Sequence, residues 1–396
     1  MSKNTASVLF TGDVCFKYQH GADEAVSREI LSEMIPIFNS SDILVMNLET
    51  PLADEGVGTP IRKCGPNIIG RPRNVGFLKA AGCDAVSLAN NHTGDFGDEA
   101  LFATTALLDE NGIGHFGAGE NIDAAYTAWR TEKNGIRLSV IGVCEHEFGL
   151  ADRTHAGTAA LDLDRLAGKI AEEKAVSDFV VVMSHGGSEH CPVPTPKTKE
   201  RYHLMLRLGA DAVIGAHPHC PQGIEIIDGK PIVYSTGNYI FRYDSEDLPE
   251  TWFYGYVAKL TLTRGEKPKV EAIPYRFEAD GSKVIPLSGD VLERMNGYLD
   301  ELSAIAADDG LLAKYYDGWC MARGFNASEV SAPDGIREKS GAPLEISKYV
   351  NYRNCESHTE LIARTAVLLF EGKCAEAMEW KDKVLSYQKI GNFLLV

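Results

Sequence analysis

This 396-residue sequence lacks several features of membrane, secreted and disulfide-bonded proteins. No apolar run approaches the about 18 residues that a membrane-spanning helix needs. The first residues, MSKNTASVLFTGDVCF, hold a short apolar run ending at Thr11, whereas a signal peptide needs about 7–15 apolar residues. The nine cysteines are scattered without a C-x-x-C pair, which argues against a disulfide framework and a cysteine zinc site. We therefore predict a cytoplasmic protein with no membrane partner.

Positive charge is also scarce. Lys and Arg total 39 against 56 Asp and Glu, which leaves a formal net charge of −17. Such a surface repels phosphate backbones and anionic lipid headgroups, so we expect neither nucleic acid nor membrane as a partner. An anionic substrate stays compatible with this charge if a metal or a local cluster reverses the field in one cleft.

Short apolar runs alternate with amphipathic helical stretches from Ser7 to about Ala216. The apolar runs are SVLF, DILVMNL, DAVSLA, RLSVIGV, DFVVVMS and DAVIGA. Such near-continuous runs are typical of strands that are covered on both faces. The alternation therefore predicts an α/β fold. The helical patterns lie at Glu24–Ile35, Val75–Ala81, Glu99–Glu110, Leu163–Ala175 and Glu200–Leu208.

The pattern changes after Gln222. IEIIDGKPIVY predicts a hairpin that turns at Asp228-Gly229, and GYVAKLTLTRGEKPKVEAIPY predicts two further strands. Beyond Ser288 only helical patterns remain, with SAPDGIREKSGAP as a loop among them. We expect a domain over residues 1–288 and a helical extension over 289–396. The extension either docks on the α/β body, or forms a homodimer contact or a wall over the cleft. Its helical patterns are Val291–Ala307, Leu311–Ala322, Thr359–Glu371 and Ala375–Tyr387.

Polar residues follow five of the predicted strands. Because ligands bind at the carboxyl ends of strands in an α/β sheet, these strand ends can converge on one cleft. Carboxylate, amide and imidazole groups are ligands for divalent metals, and one bridging carboxylate could hold two ions about 3.5–4 Å apart. Each residue alone also has an ordinary explanation, such as a turn or a core histidine. The candidates are Asp13, Glu49, Asn91, His92, His185, His217 and His219.

Six segments carry a family resemblance. GDV, NLE, ANNHTGDFG, SHGG, GAHPH and STGNYIF occur in the order found in the CapA-like (poly-γ-glutamate capsule biosynthesis) proteins. The chain resembles that family over roughly residues 6–245, and the family is similar to the calcineurin-like metallophosphoesterases. The resemblance implies a metallophosphoesterase-like four-layer αββα sandwich, with an all-helical C-terminal appendage outside it.

The resemblance also implies roles for single residues. One or two divalent ions (Mn, Zn or Fe) are expected, and His92 resembles a general acid that protonates the leaving oxygen. Asp13 is the other residue expected in catalysis. Cys15 stands where the superfamily has a histidine, and we expect it to pack as a small buried residue rather than to bind metal. The implied ligands are Asp13, Glu49 and His219 for one ion, and Glu49, Asn91, His185 and His217 for the other.

Further residues are candidates for substrate binding, although each is also compatible with an ordinary surface loop. Glu145 and His146, followed by Glu147, come directly after the strand RLSVIGVC. Asn238 could orient a metal-site histidine. The other candidates are the cations Arg62 and Lys63, and His190, which with Glu189 lies on a Pro-rich loop after His185.

Three functions are compatible with these features. The one we favour is a metal-dependent, phosphoesterase-like hydrolase that acts on an anionic small molecule or a polyglutamate-like peptide. The second is an amino-acyl or peptide epimerase that uses the same carboxylate and imidazole cluster. The third is a non-catalytic accessory protein of capsule polymer synthesis, which the absence of an anchor segment disfavours.

Overall fold

The computed structural model describes residues 4–17, 23–245, 247–324 and 344–392, so the predicted loop SAPDGIREKSGAP lies outside the described residues. In chain order, the strands are β1 (Thr5–Cys15), β2 (Ile43–Leu48), β3 (Ala85–Ser87), β4 (Gly114–Phe116), β5 (Ala118–Gly119), β6 (Trp129–Lys133), β7 (Ile136–Cys144), β8 (Gly157–Thr158), β9 (Phe179–His185), β10 (Ala212–Ala216), β11 (Ile224–Ile227), β12 (Lys230–Val233), β13 (Asn238–Phe241), β14 (Tyr254–Thr263), β15 (Lys269–Phe277) and β16 (Val284–Pro286).

The α-helices of the described ranges fall into two groups. Those of the α/β body are α1 (Glu24–Ile30), α2 (Ile35–Phe38), α3 (Val75–Ala81), α4 (Gly97–Glu110), α5 (Ile122–Ala125), α6 (Leu163–Val176) and α7 (Pro196–Arg207). Those of the C-terminal part are α8 (Gly289–Ala307), α9 (Asp309–Trp319), α10 (Leu344–Asn354), α11 (Glu356–Phe370), α12 (Cys374–Met378) and α13 (Lys381–Ser386). Within the described ranges, no helix combines the length and the apolar character that a bilayer crossing requires.

Two sheets form the centre of the body. The first has the order β16-β15-β14-β1-β2-β3-β4, with β13 also paired to β1, and the second has the order β11-β12-β10-β9-β7-β6. The strands β1 to β4 pair in parallel with one another, as do β7, β9, β10 and β12. Antiparallel pairs flank these two sets: β14, β15 and β16 lie beyond β1, β6 lies beyond β7, and β11 lies beyond β12. In each sheet, the carboxyl ends of several parallel strands therefore lie side by side.

The sheets pack face to face, and helices cover both outer faces. Along β1, Val8 and Phe10 face the core between the sheets, while Leu9 faces the helices outside, because successive strand side chains point to opposite faces. Val181 of β9 belongs to the same inner core, whereas Val182 packs in the second outer core with α6 and α7 residues. This confirms the predicted four-layer αββα architecture.

The C-terminal helices pack on these layers. On α8, Met295 and Leu302 are buried in one cluster with residues of both sheets. The Tyr298 hydroxyl donates to the Pro221 carbonyl at 3.3 Å. The apolar pattern of α11 is only partly buried, since Leu361 is covered while Phe370 is 93% exposed. Docking on the body is therefore what the structure shows, and the division into domains at residue 288 stays a prediction.

Most element bounds differ little from the predicted ones, and the differences have local causes. The helix predicted over Glu24–Ile35 ends at Ile30, and a new helix begins beside Pro36, since proline does not continue a helix but fits its first turn. The predicted hairpin is formed by β11 and β12, with φ of 51° at Asp228 and 76° at Gly229. These positive values are those of a tight two-residue hairpin turn.

Candidate metal centre

The predicted metal ligands lie at strand ends of both sheets. Asp13 is near the end of β1, and Glu49 directly follows β2, whose register pairs Asp13 with Asn47. In the second sheet, His185 is the last residue of β9, and His217 directly follows β10. The structure brings these residues together with Asn91 and His219 in one buried cluster.

Three of these side chains surround the Nε2 atom of His185, which is the fourth member of the group. It lies 3.1 Å from Asn91 Oδ1 and 3.1 Å from His217 Nδ1. It also lies 3.4 Å from Glu49 Oε1. These four residues are the set that the sequence analysis placed around one ion.

Asp13 and His219 lie beside that group. His219 Nδ1 is 3.3 Å from Asp13 Oδ2, and His219 Nε2 is 3.9 Å from Glu49 Oε1. Ligand atoms of Asp13, Glu49 and His185 lie within 4.8 Å of one another, as do those of Glu49, His217 and His219. Glu49 is thus the carboxylate that the two groups share. The two contacts that the predicted sets require, His219 with Asp13 and His217 with His185, are both present, and the assignment of residues to two separate ions stays a prediction.

The Glu49 carboxylate shows that the cluster fits a cation. Its side chain is fully buried, and within the described part of the chain neither carboxylate oxygen has a hydrogen-bond partner, although Oε1 lies within ion-pair distance of the His185 and His219 imidazoles, at 3.4 and 3.9 Å. A buried carboxylate is costly unless it is paired or coordinates a metal. The surrounding donors are imidazole, amide and carboxylate, which suit divalent ions such as Zn or Mn. The donor set therefore fits a divalent metal, without identifying which one.

The HPH segment is held in an uncommon backbone conformation. His217 has φ of 97° and His219 has φ of 55°, and such values cost about 1–3 kcal/mol for residues other than glycine. The backbone N–H of His217 donates to Asp13 Oδ2 at 3.2 Å. The two strained residues are thus the ones whose imidazoles lie in the cluster.

The charges of the cluster determine its protonation. Burial and the imidazoles of His185 and His219 lower the pKa of His217 well below its ordinary value. Burial alone would raise the pKa of Asp13, but the hydrogen bond with His219 and the charge of His185 outweigh it, and this pKa is lowered. Burial alone would lower the pKa of His185, but the charge of Glu49 raises it. Neighbouring charges therefore shift the pKa values of two cluster histidines in opposite directions.

Neighbouring amides orient the ligands. Asn238 Oδ1 is 2.8 Å from His219 Nδ1, so the predicted contact between Asn238 and a cluster histidine is confirmed. With Nδ1 engaged, Nε2 is the nitrogen of His219 that is left for a metal. Asn47 Nδ2 likewise donates to Asp13 Oδ1 at 2.7 Å. Contacts of this kind fix the rotamer and the tautomer of a ligand.

His92 is fixed by a buried ion pair. Its Nδ1 lies 2.7 Å from Asp95 Oδ2, and Lys63 Nζ lies 3.2 Å from the same nitrogen. Lys63 also forms an ion pair with Asp95, and the Lys63 side chain is only 2% exposed. Asp95 was missed in the sequence, although it stands three residues after His92 in ANNHTGDFG. Lys63 therefore positions Asp95 and His92 rather than extending from a basic surface loop, and Arg62 beside it is exposed.

A cavity of about 330 Å³ opens beside Asn91 and His92. The body contributes Lys63, Cys64, Gly65, Pro66, Glu147, Phe148 and Glu189 to its lining. The helices α10 and α11 contribute Lys348, Asn351, Tyr352 and His358. The C-terminal helices therefore form one wall of this cavity, which was one of the predicted alternatives.

Comparison with known proteins identifies the family of this chain. Residues 7–243 match the family described as the bacterial capsule synthesis protein PGA_cap. The chain belongs to this family. It is 28% identical over 220 residues to a capsule biosynthesis protein CapA of Bacillus anthracis, covering 54% of this chain and 53% of that protein. It is 27% identical over 253 residues to a PGA biosynthesis protein CapA of Bacillus subtilis, covering 61% and 64%.

These matches have limited extent. The chain spans between about half and two thirds of the length of those relatives. A solved 5'-nucleotidase precursor from Thermus thermophilus is 14% identical, with a TM-score of 0.40 over 72% of this chain and 54% of that one. The residues of the Glu49 cluster all lie inside the PGA_cap match, whereas α10 and α11 lie outside it.

Two of the predicted substrate-binding residues hold a helix in this member of the PGA_cap family. Glu145 Oε2 accepts hydrogen bonds from the Ser357 backbone N–H at 3.3 Å and from Cys355 Sγ at 3.4 Å. His146 Nδ1 lies 2.6 Å from Glu356 Oε1. Glu145 and His146 therefore anchor the start of α11. The next two residues of that loop, Glu147 and Phe148, line the cavity.

His190 and Cys15 also have defined places in the PGA_cap fold. The His190 ring lies 6.5 Å from the His219 ring and 5.7 Å from the Trp252 ring. Burial lowers the pKa of His190 to about 4, and its role in substrate binding stays a prediction. Cys15 is buried in the outer core, as predicted. Among the described residues, its sulfur does not belong to any set of three potential ligand atoms that lie within 4.8 Å of one another.

Proposed function

We propose that this protein is a metal-dependent hydrolase of phosphoester-like substrates that serves capsule or poly-γ-glutamate synthesis. The single observation that carries the proposal is the Glu49 carboxylate, which is buried without hydrogen bonds between two groups of ligand atoms. A bridging carboxylate of this kind suits two ions about 3.5–4 Å apart, an arrangement used for phosphoester hydrolysis.

The ligands in this proposal are the six residues that meet at the cluster. Bound ions would polarise the phosphoryl oxygens and lower the pKa of a bound water. Asp13 and Glu49 supply negative charge, and Asn238 keeps Nε2 of His219 turned toward Glu49. The full ligand set is Asp13, Glu49, Asn91, His185, His217 and His219.

His92 is the proposed proton donor. Its Nδ1 is bound to Asp95, which leaves Nε2 as the ring nitrogen that can give a proton to the leaving oxygen. His92 lines the cavity beside Asn91, so a substrate held at the cluster would place its leaving group against this ring. Lys63 and Asp95 keep the ring in place, since both are buried.

A second candidate function is an accessory protein that binds its ligand at the cluster without turnover. The observation that favours it is that both relatives are named for the synthesis of a capsule or polymer, not for hydrolysis. Substrate, partner and activity of this chain are proposals in either case, because the matches cover only part of those proteins.

Elemental analysis and a substrate panel test the first proposal. Purified protein should contain one or two divalent ions per chain, and metal-free protein should regain turnover of phosphomonoesters or phosphodiesters when Mn²⁺ or Zn²⁺ is added. Metal-loaded protein that turns over no member of the panel would favour the accessory role. Incorporation of deuterium at Cα of a glutamyl peptide would instead identify an epimerase.

A further inference from the structure

A second group of metal-ligating side chains lies at the start of α11. Cys355 is the residue before the helix, and His358 is in its first turn. Side chains at these two helix positions face each other, as they do in a capping box. Glu147, from the loop after β7, joins them, and ligand atoms of Glu147, Cys355 and His358 lie within 4.8 Å of one another. None of the three belongs to the cluster around Glu49.

Two polar atoms at this place have no partner. Within the described residues, His358 Nδ1 and Asn351 Oδ1 are buried without a hydrogen bond. Both residues line the cavity, and Asn351 is only 5% exposed. An unsatisfied buried polar group costs about 1–3 kcal/mol, so these atoms indicate that something polar binds here.

The local charge favours a cation. Three carboxylates meet near Cys355, and two of them are paired, because Glu145 lies 3.4 Å from Arg201 and Glu356 lies 2.6 Å from His146. The third is Glu147, for which no ion pair is found among the described residues. Burial raises the pKa of the Glu147 carboxyl, and a cation bound beside the thiol and the imidazole would oppose that rise.

We propose that Glu147, Cys355 and His358 bind a Zn²⁺ ion at the wall of the cavity. Sulfur, nitrogen and oxygen donors of this kind are typical of zinc, with bonds of about 2.0–2.3 Å. Such bonds place tetrahedral ligands about 3.3–3.8 Å apart, so small side-chain rotations complete the site. Cys355 gives up its thiol proton to solvent when its sulfur binds the ion. The fourth position faces the cavity and takes a water or an anionic oxygen.

This ion would join two parts of the chain. Glu147 belongs to the segment that matches the PGA_cap family, whereas Cys355 and His358 lie beyond it. The bound ion would fix the start of α11 against the loop after β7. The proposal does not depend on hydrolysis at the Glu49 cluster, because it concerns binding at a separate set of residues.

Cobalt substitution tests this site in the full chain. Metal-free protein is titrated with Co²⁺, and the near-ultraviolet thiolate-to-cobalt absorption is recorded. The Glu49 cluster contains no sulfur ligand, so this absorption reports only on a cysteine site. We expect it in the wild type and in His217→Ala, and we expect its loss in Cys355→Ser and His358→Gln, with about one bound ion fewer per chain. Cys64→Ser is the matched control, because Cys64 lines the same cavity outside the proposed ligand set.

Three results would overturn the proposal. The wild type could lack the absorption, Cys355→Ser could keep it, or Cys64→Ser could abolish it while Cys355→Ser does not. Circular dichroism identifies a variant that has not folded. If Cys355→Ser fails to fold, His358→Gln decides the question, and an unchanged absorption in that variant contradicts the site.

Discussion

The two walls of the cavity differ in what holds them in place. The wall with Asn91 and His92 adjoins the Glu49 cluster, several of whose residues stand at the ends of paired strands and are positioned by backbone hydrogen bonds. The wall formed by α10 and α11 is held by side chains, such as the ion pairs of Arg201 with Glu360 and of His146 with Glu356, both at 2.6 Å. We infer that the first wall carries the chemistry, and that the second shapes the space in which it occurs.

The largest effect should come from a substitution in the Glu49 cluster, beside the first wall. His217→Ala removes a ligand that lies 3.1 Å from His185 Nε2, so we expect metal content and turnover to fall together. The fall in metal affinity and activity should be larger than the about 10–100-fold caused by removing a residue that only hydrogen-bonds a ligand. Elemental analysis and steady-state kinetics measure both. His155→Ala, at a histidine that is 71% exposed, is the matched control. Retained metal in His217→Ala would contradict the ligand role.

A second substitution, at His92 in the first wall, separates acid catalysis from metal binding. His92→Ala should keep the metal and lower kcat by about 10²–10⁴-fold, which is the usual contribution of a general acid. The loss should be greatest for substrates with poor leaving groups, since these need the proton most. Unchanged turnover of such a substrate would remove the proposed role of His92.

A third substitution tests whether amides orient the ligands. Asn238→Ala removes the contact at 2.8 Å from His219 Nδ1, and we expect metal affinity to fall by about 10–100-fold. Metal titration against a chelator measures this change. Asn111→Ala is a suitable control, because the Asn111 amide bonds only within its own helix end. Equal metal affinities of Asn238→Ala and Asn111→Ala would show that the contact between Asn238 and His219 does not contribute to metal binding.

The smallest effect on chemistry should come from the helical wall. Glu145→Ala removes the acceptor of the Ser357 N–H and a partner of Arg201, so we expect a loss of about 1–3 kcal/mol of unfolding free energy. Thermal unfolding and hydrogen exchange over 356–370 measure it, while metal at the Glu49 cluster should stay unchanged. Unaltered hydrogen exchange of α11 in Glu145→Ala would show that the contacts of Glu145 do not hold this helix on the body.

Local sequence pattern predicted the α/β class and the residues that meet at the Glu49 cluster, whereas the four-layer arrangement was implied by the family resemblance. Apolar runs that end in Asp13, Glu49, His185 and His217 place polar groups at strand ends, and parallel pairing then brings strand ends to one edge. This reasoning needs only local pattern and a general rule of sheet geometry, so it succeeded without any knowledge of long-range contacts.

Only the tertiary structure decided which residues surround that cluster. Glu145 contacts Ser357 across 212 positions of sequence, and the burial of Lys63 depends on its ion pair with Asp95. No local periodicity encodes such pairings, because each depends on where two separately folded segments meet. The wall of α10 and α11, and with it the shape of the cavity, therefore follows from packing and charge pairing between distant parts of the chain.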